Sequence, residues 1–178
     1  MADVIKTCGA CNLCCKLAPV EALKKPAGVW CVHAKPGQGC GIYGQHPEEC
    51  QTYRCGWLKN EGLDEDWKPT NCKFVIRLDE EFRRVIIAND PAYPDAWRKP
   101  RFYPVIKSWS RDLGVVSYVG NRATMVYPDQ DLDVGVINAG DAVHTGYHDR
   151  PPMRAPWVRI QPVGGGPPRE YVGRYGPS

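Results

Sequence analysis

Cys8, Cys11, Cys14 and Cys15 crowd four thiols into eight residues, and Cys31, Cys40, Cys50 and Cys55 follow in the next forty. Two residues between cysteines let one turn aim both sulfurs at a single ion, the spacing used by zinc knuckles and by the loops that open iron–sulfur sites. Eight cysteines make two four-thiolate sites, or one such site with reserves. Adjacent residues point their side chains apart, so Cys14 and Cys15 are assigned to different sites. Cys72 stands outside the block and is read as a plain thiol. Spacing leaves the metal open. Three thiols from one loop plus a remote fourth suit an iron–sulfur cubane, whereas pairs drawn from Cys8/Cys11 and Cys50/Cys55 suit tetrahedral zinc.

The chain around these residues has 178 residues, a length that fits one domain or one domain with a small appendage. A hydrophobic fraction of 43% supports a packed core, while Gly 18 and Pro 17 require much of the backbone to be turn and loop. No apolar stretch follows Met1–Thr7 and no run approaches the roughly 18 apolar residues of a membrane span. The expected setting is therefore the cytoplasm, without a membrane partner, where thiols stay reduced and a patterned cysteine cluster serves metal or redox chemistry rather than bridges. Residues 1–72 carry 8 basic and 8 acidic groups and residues 73–149 carry 10 and 11, whereas residues 150–178 carry 5 arginines against Glu170. A pI near 8.3 without a basic stripe argues against a nucleic-acid partner.

Three segments follow from composition: a cysteine-cluster subdomain at 1–72, a small α+β subdomain at 73–149, and a tail at 150–178. Gly9 and Asn12 suit a tight turn within the first cluster. Val20–Lys25 reads as a helical turn stopped by Pro26, and Gly28–Val32 as a brief extended segment. A helix is expected from Pro47, with Glu48 and Glu49 at its positive end and Cys50, Tyr53, Arg54 and Trp57 on one face. Lys73–Leu78 and Phe82–Ala88 read as a hairpin around Asp79-Glu80-Glu81. Phe102, Val105, Ile106, Trp109 and Leu113 form a helical stripe closed by Gly114. Val115–Val119 and Arg122–Tyr127 flank Gly120-Asn121, a two-residue hairpin signal. Val134–Asn138 and Trp157–Gln161 are weaker strand candidates. Pro and Gly fill 12 of the 29 positions in 150–178, so the tail is expected to be irregular or mobile. The fold class read from this pattern is α+β: a loop-rich, cysteine-bound metal subdomain packed on a small antiparallel sheet with one or two helices.

The cysteine pattern resembles the CxxCxxCC family of zinc- or iron-chelating proteins, the YkgJ-type cysteine-cluster proteins. The likeness covers about residues 8–58. It rests on Cys8-Gly9-Ala10-Cys11-Asn12-Leu13-Cys14-Cys15-Lys16, Trp30-Cys31, Cys40-Gly41-Ile42-Tyr43, Pro47-Glu48-Glu49-Cys50 and Tyr53-Arg54-Cys55-Gly56-Trp57. His46 stands where the family usually has arginine before the proline. The resemblance implies metal binding through an iron–sulfur cluster, zinc, or both. Flagellin lysine N-methylases carry a related cluster, which keeps a redox or modification enzyme acting on a protein substrate in view. A structural zinc module that binds a protein partner and a metal storage or delivery protein are the alternatives. No recognisable family motif covers residues 73–178.

The remaining candidates have plainer readings. His33 lies two residues past Cys31 and is a minor ligand candidate. His144 and His148 have metal-like spacing with Asp141 nearby, but Gly146 between them argues against a shared helix, and they are read as loop histidines. Asp129, Asp131 and Asp133 alternate as hard-cation ligands do, yet without the calcium-loop glycine or closing glutamate, and read as a solvated turn. Gly164–Gly166 lacks the lysine of a phosphate loop. Trp30, Trp57, Trp97 and Trp109 are assigned to the core, with Trp30 and Trp57 shielding sulfur from water. No general base, nucleophile or nucleotide motif stands out.

Overall fold

The structure, a computed structural model, describes residues 6–177; the extreme ends of the first segment and of the tail, 1–5 and 178, lie outside it. The cysteine-bearing segment forms only short elements. These are helices α1 (Cys14–Leu17), α2 (Glu48–Thr52), α3 (Gly56–Lys59) and α4 (Pro69–Cys72), and a two-stranded hairpin of β1 (Ala34–Lys35) and β2 (Gly39–Cys40). The helix expected from Pro47 stops at Thr52 because Tyr53 turns extended (ψ 128°), and a new turn starts at Gly56 with Cys55 as its N-cap. Gly28–Val32 forms no strand among the described residues.

Two hairpins are where the sequence puts them. β3 (Phe74–Asp79) and β4 (Arg84–Asn89) pair antiparallel, their turn falling at residues 80–83. β5 (Gly114–Val119) and β6 (Arg122–Val126) pair across Gly120-Asn121, where Gly120 takes φ +61° at the first turn position. Between them α5 (Tyr103–Trp109) carries the apolar stripe, with Pro104 in its first turn. This connection returns β5 parallel to β4, and β7 (Asp131–Val136) completes a mixed sheet in the order β3-β4-β5-β6-β7.

The tail is built, not loose. β8 (Ala142–Arg150), β9 (Met153–Gln161), β10 (Arg169–Val172) and β11 (Gly176–Pro177) form a second sheet in which β8 lies along one side of β9, and β10 and β11 follow one another along the other. Pro156 is tolerated inside β9 because its carbonyl accepts the Gly173 N–H, so its missing donor faces the gap between β10 and β11 rather than the ladder with β8. The loop reading of His144 and His148 is corrected with it: both are exposed on β8.

The five-stranded sheet is buried on both faces. Val85, Ile87, Val115 and Val126 pack on one side with Trp57, Trp67, Phe74, Phe102 and Ile106. Val116, Ala123 and Val134 pack on the other with Val158 and Ile160 of the second sheet. Trp67 lies edge-on to Phe102 (4.9 Å) and Phe74 (6.1 Å), so the cysteine segment and the sheet share one core. Trp97 is buried as expected, but Trp30 is 40% exposed and lies outside the core. Asp131 is not in a solvated turn: on β7 it accepts from the Tyr103 hydroxyl (2.9 Å), Lys107 (2.8 Å) and Arg98, pinning β7 to α5.

The α+β expectation of a cysteine-bound metal subdomain on a small antiparallel sheet is therefore overturned. Among the described residues the chain is predominantly β, 34% strand against 19% helix, with five α-helices of four to seven residues. Its main sheet contains a parallel pair, and among the described residues no three Cys, His, Asp or Glu side chains are grouped to hold a metal. The physical reason is that strands separated by Pro and Gly turns kept their alternation in the tail, and both sheets needed each other's apolar faces. No helix among the described residues is long and apolar enough to cross a membrane.

Candidate metal centre

The first knuckle is a turn closed by Cys11 N–H donating to the Cys8 carbonyl (2.8 Å), with Gly9 between them in the left-handed region at φ +50°. Asn12 follows, buried, and its Nδ2 donates to the Lys35 carbonyl (2.9 Å), which brings the β1–β2 hairpin and Cys40 against the knuckle. The approach is close enough that a Cβ on Gly39 would stand 3.0 Å from the Gly9 carbonyl oxygen. Cys31 is drawn in by its own N–H, which donates to the Cys15 carbonyl (2.9 Å). Glu49 accepts the Ala22 N–H (2.9 Å) and so holds α2, with Cys50, to the turn at 21–23. At the other end Lys6 donates to the carbonyls of Trp57 (3.2 Å) and Asn60 (2.6 Å), strapping the residues just before Cys8 onto α3 beside Cys55.

The eight cysteines fall into two neighbourhoods. Burial raises the Cys8 thiol pKa, and the nearby Cys55, Cys11 and, least, Cys15 add to it against the Arg54 guanidinium. Burial likewise raises Cys55, with Cys11 contributing. Cys14 donates its S–H to Cys15, and this bond together with burial, Cys11 and Cys8 holds Cys14 protonated. Cys8, Cys11, Cys14 and Cys55 thus share one electrostatic neighbourhood, which Cys15 also reaches. Burial also raises Cys50, which senses Glu49 and then Cys15, Cys31 and Cys40, the members of the second set. The bond from Cys14 pulls Cys15 down to about 7 against its burial, and Lys25 assists. Cys14 and Cys15 are the point where the sets meet.

Two residues of this region escaped sequence reasoning. Lys25 is buried with its ammonium on the Lys16 (3.3 Å), Ala18 and Pro26 (2.9 Å) carbonyls; burial lowers its pKa, while Cys31 and Cys15 oppose the shift. Only a lysine followed by proline marked it. Tyr53 is mostly buried; burial first, then Cys14, Cys55 and Cys8, raise its hydroxyl. Its place one residue before Arg54-Cys55 was the available signal.

Other candidates separate from the thiols. Cys72 is fully buried, its thiol donating to the Trp67 (3.3 Å) and Phe74 (3.1 Å) carbonyls, and burial pushes its pKa to about 12. His46 stacks on Tyr43 (5.2 Å) and its Nδ1 accepts the Gly44 N–H (3.1 Å). Soft thiols in fours match zinc and iron–sulfur chemistry rather than calcium or magnesium. In the positions described, however, no three of the eight converge as a ligand shell, so the donor chemistry fits a metal and the side-chain geometry does not yet enclose one.

The knuckle is also tied to the sheet by Lys16, whose Nζ meets Asp90 Oδ1 at 2.6 Å beyond the end of β4, both side chains being largely buried. Burial alone would raise the Asp90 carboxyl; the Lys16 ammonium and the Ala92 N–H outweigh it and hold its pKa below the usual range. An acid whose folded pKa is depressed adds stability above its unfolded pKa and loses it as pH falls through the folded value. Asp90→Asn is expected to cost about 1–2 kcal/mol near neutrality. The cost should shrink on acidification below about pH 4. Urea midpoints of both proteins at neutral and acid pH check this, and a cost that does not change with pH refutes it.

Comparison of the chain with protein-family models, with curated proteins and with solved structures gives no match.

Proposed function

We propose that this is a cysteine-cluster metal-binding protein that holds zinc, an iron–sulfur cluster, or both through Cys8, Cys11, Cys14 and Cys55 in one set and Cys15, Cys31, Cys40 and Cys50 in the other. What supports this reading is the gathering of eight cysteines within a 48-residue stretch that opens at the CxxCxxCC spacing, none of them in a disulfide. The resemblance of residues 8–58 to the YkgJ-type cluster family supports it. A reducing compartment such as the cytoplasm is part of the same proposal, since the thiols must stay free to ligate.

Binding closes the sulfurs of each set on an ion, so metal uptake and ordering of this segment become one event. For structural zinc such coupling is worth on the order of 10 kcal/mol. Purification without oxygen, elemental analysis and absorption near about 400 nm, where iron–sulfur clusters are coloured, identify the metal. A strong chelator should then remove it and collapse the near-ultraviolet circular dichroism. Protein prepared in this way that contains neither zinc nor iron, with the same dichroism before and after chelator, sinks the proposal.

A further inference from the structure

The carboxyl ends of parallel strands are where open sheets form ligand crevices, because the connecting chain turns away from the sheet there. β4 and β5 are the parallel pair of the main sheet, and a cleft of about 350 Å³ opens where they end, between β5–β7 and the chain that leaves β4. Ser117, 3% exposed, and Thr124, its partner across β5 and β6, lie at its base; Pro94, Trp97 and Val119 give it an apolar wall, and Arg98 and Arg122 reach it from more exposed positions. Asn89, 2% exposed at the end of β4, donates from Nδ2 to Ser117 Oγ (2.8 Å) and to the Tyr118 carbonyl (2.9 Å). The Ser117 O–H itself donates to no group among the described residues, and Asn89 Oδ1 accepts from none. Folded proteins seldom leave buried hydroxyls and amides in that state. The charges around the cleft, by contrast, are spent. Asp131 holds Arg98 and Lys107 (2.8 Å), Asp133 holds Arg122 (2.8 Å) and the Gly135 N–H (2.8 Å), and Asp95 lies 3.6 Å from Arg98.

We propose that this cleft binds an uncharged, polyhydroxylated small molecule of monosaccharide size. Three cations against three carboxylates leave no net field for an ion, so a charged ligand would give up its hydration without a countercharge in return. A hydroxyl both donates and accepts. One such ligand can therefore accept from the Ser117 O–H, share a hydrogen bond with the Thr124 hydroxyl, and accept from the N–H groups of Arg98 and Arg122 that their carboxylates leave unused. The C–H face of its ring or chain rests on the apolar carbons of Pro94, Trp97 and Val119. The volume lies at the small end of the range for small-molecule clefts, which suits one sugar ring rather than a nucleotide or an extended chain. None of the cysteines takes part, so the proposal stands whether or not they hold metal.

Amide nuclear magnetic resonance spectra of the intact chain, titrated separately with glucose, galactose, mannose, ribose and arabinose and with inorganic phosphate and citrate, test this. At least one sugar should give saturable shifts centred on residues 94–98, 117–124 and 131–133, and the two anions should give none there. Ser117→Ala removes the buried donor while Asn89 keeps the Tyr118 carbonyl, and it should weaken binding of that sugar about tenfold at an unchanged melting temperature. If none of the five sugars shifts these residues, the proposal is overturned. It is overturned equally if phosphate or citrate saturates the cleft, or if Ser117→Ala binds the sugar as tightly as the unsubstituted chain. If Ser117→Ala does not fold, Thr124→Val, which keeps the shape of a β-branched side chain and removes the hydroxyl, decides by the same comparison.

Discussion

Ending the chain after Asp149 is expected to abolish its cooperative unfolding transition. The missing residues supply β9, β10 and β11, so β8 loses its ladder with β9. Val158 and Ile160, both fully buried, go with them, and burial of each is worth about 1.5–3 kcal/mol. The cut also opens the face of the main sheet that carries Val116, Ala123 and Val134. Gln130 Nε2 loses the Arg174 carbonyl that accepts from it (2.8 Å), and the Val136 carbonyl loses the Arg169 guanidinium. Total stabilities of single domains are only about 5–15 kcal/mol, so losing one of three layers consumes most of that margin. Urea unfolding followed by circular dichroism should show a broad, shifted curve for the truncated chain. A midpoint and slope equal to those of the full chain would falsify the layered account of the core.

That result bears on how much of the molecule could be read before its structure. Local signals were legible where one short motif decides the geometry: Gly120-Asn121 for the β5–β6 turn, the i, i+3, i+4 stripe from Phe102 for α5, and the β-type runs that became β3 and β4. What failed was anything decided by distant partners. The composition of residues 150–178 spoke for disorder, yet Val158 and Ile160 recur at a spacing of two and find Val116 and Val134 across the interface. β8 was missed because its alternation is weak, being an edge with one shared face. The parallel return of β5 beside β4 needed the length of the intervening α5 crossover, which the two hairpin signals concealed. Asp131 was misread because its partners Arg98, Tyr103 and Lys107 lie 24 to 33 residues away.

In the cysteine region, adjacency suggested that Cys14 and Cys15 diverge to different sites, yet their two thiols interact directly, and among the described residues no three of these side chains are grouped to hold a metal. What draws Cys40 and Cys55 toward the knuckle was not legible, because it depends on the Asn12 bond to the hairpin and on the Lys6 strap to α3.

Under the proposed metal-binding function, Cys14→Ser and Cys15→Ser are expected to remove different metals from the protein. A serine hydroxyl is a poor anionic ligand near neutrality, so three remaining thiolates hold an ion far more weakly. Cys14→Ser should empty the set that rests on the main core, where Leu13, Leu17 and Trp57 pack beside it, and should therefore lower the melting temperature as well. Cys15→Ser should empty the set held by the β1–β2 hairpin and α2. Its bond from the Cys31 N–H uses the backbone carbonyl and survives the substitution, so the melting temperature should fall less. Cys72→Ser should release no metal, because that thiol donates to two carbonyls in the core rather than facing the other sulfurs. Elemental analysis, spectra of the metal and melting curves of the three single variants and the Cys14/Cys15 double variant form the measurement. The double variant should lose what both single variants lose. If the two single variants lose the same metal and the double loses nothing more, both cysteines serve one centre and the division into two sets is wrong. If Cys72→Ser strips metal, the ligand set extends beyond residue 55 and must be redrawn around a ninth thiol.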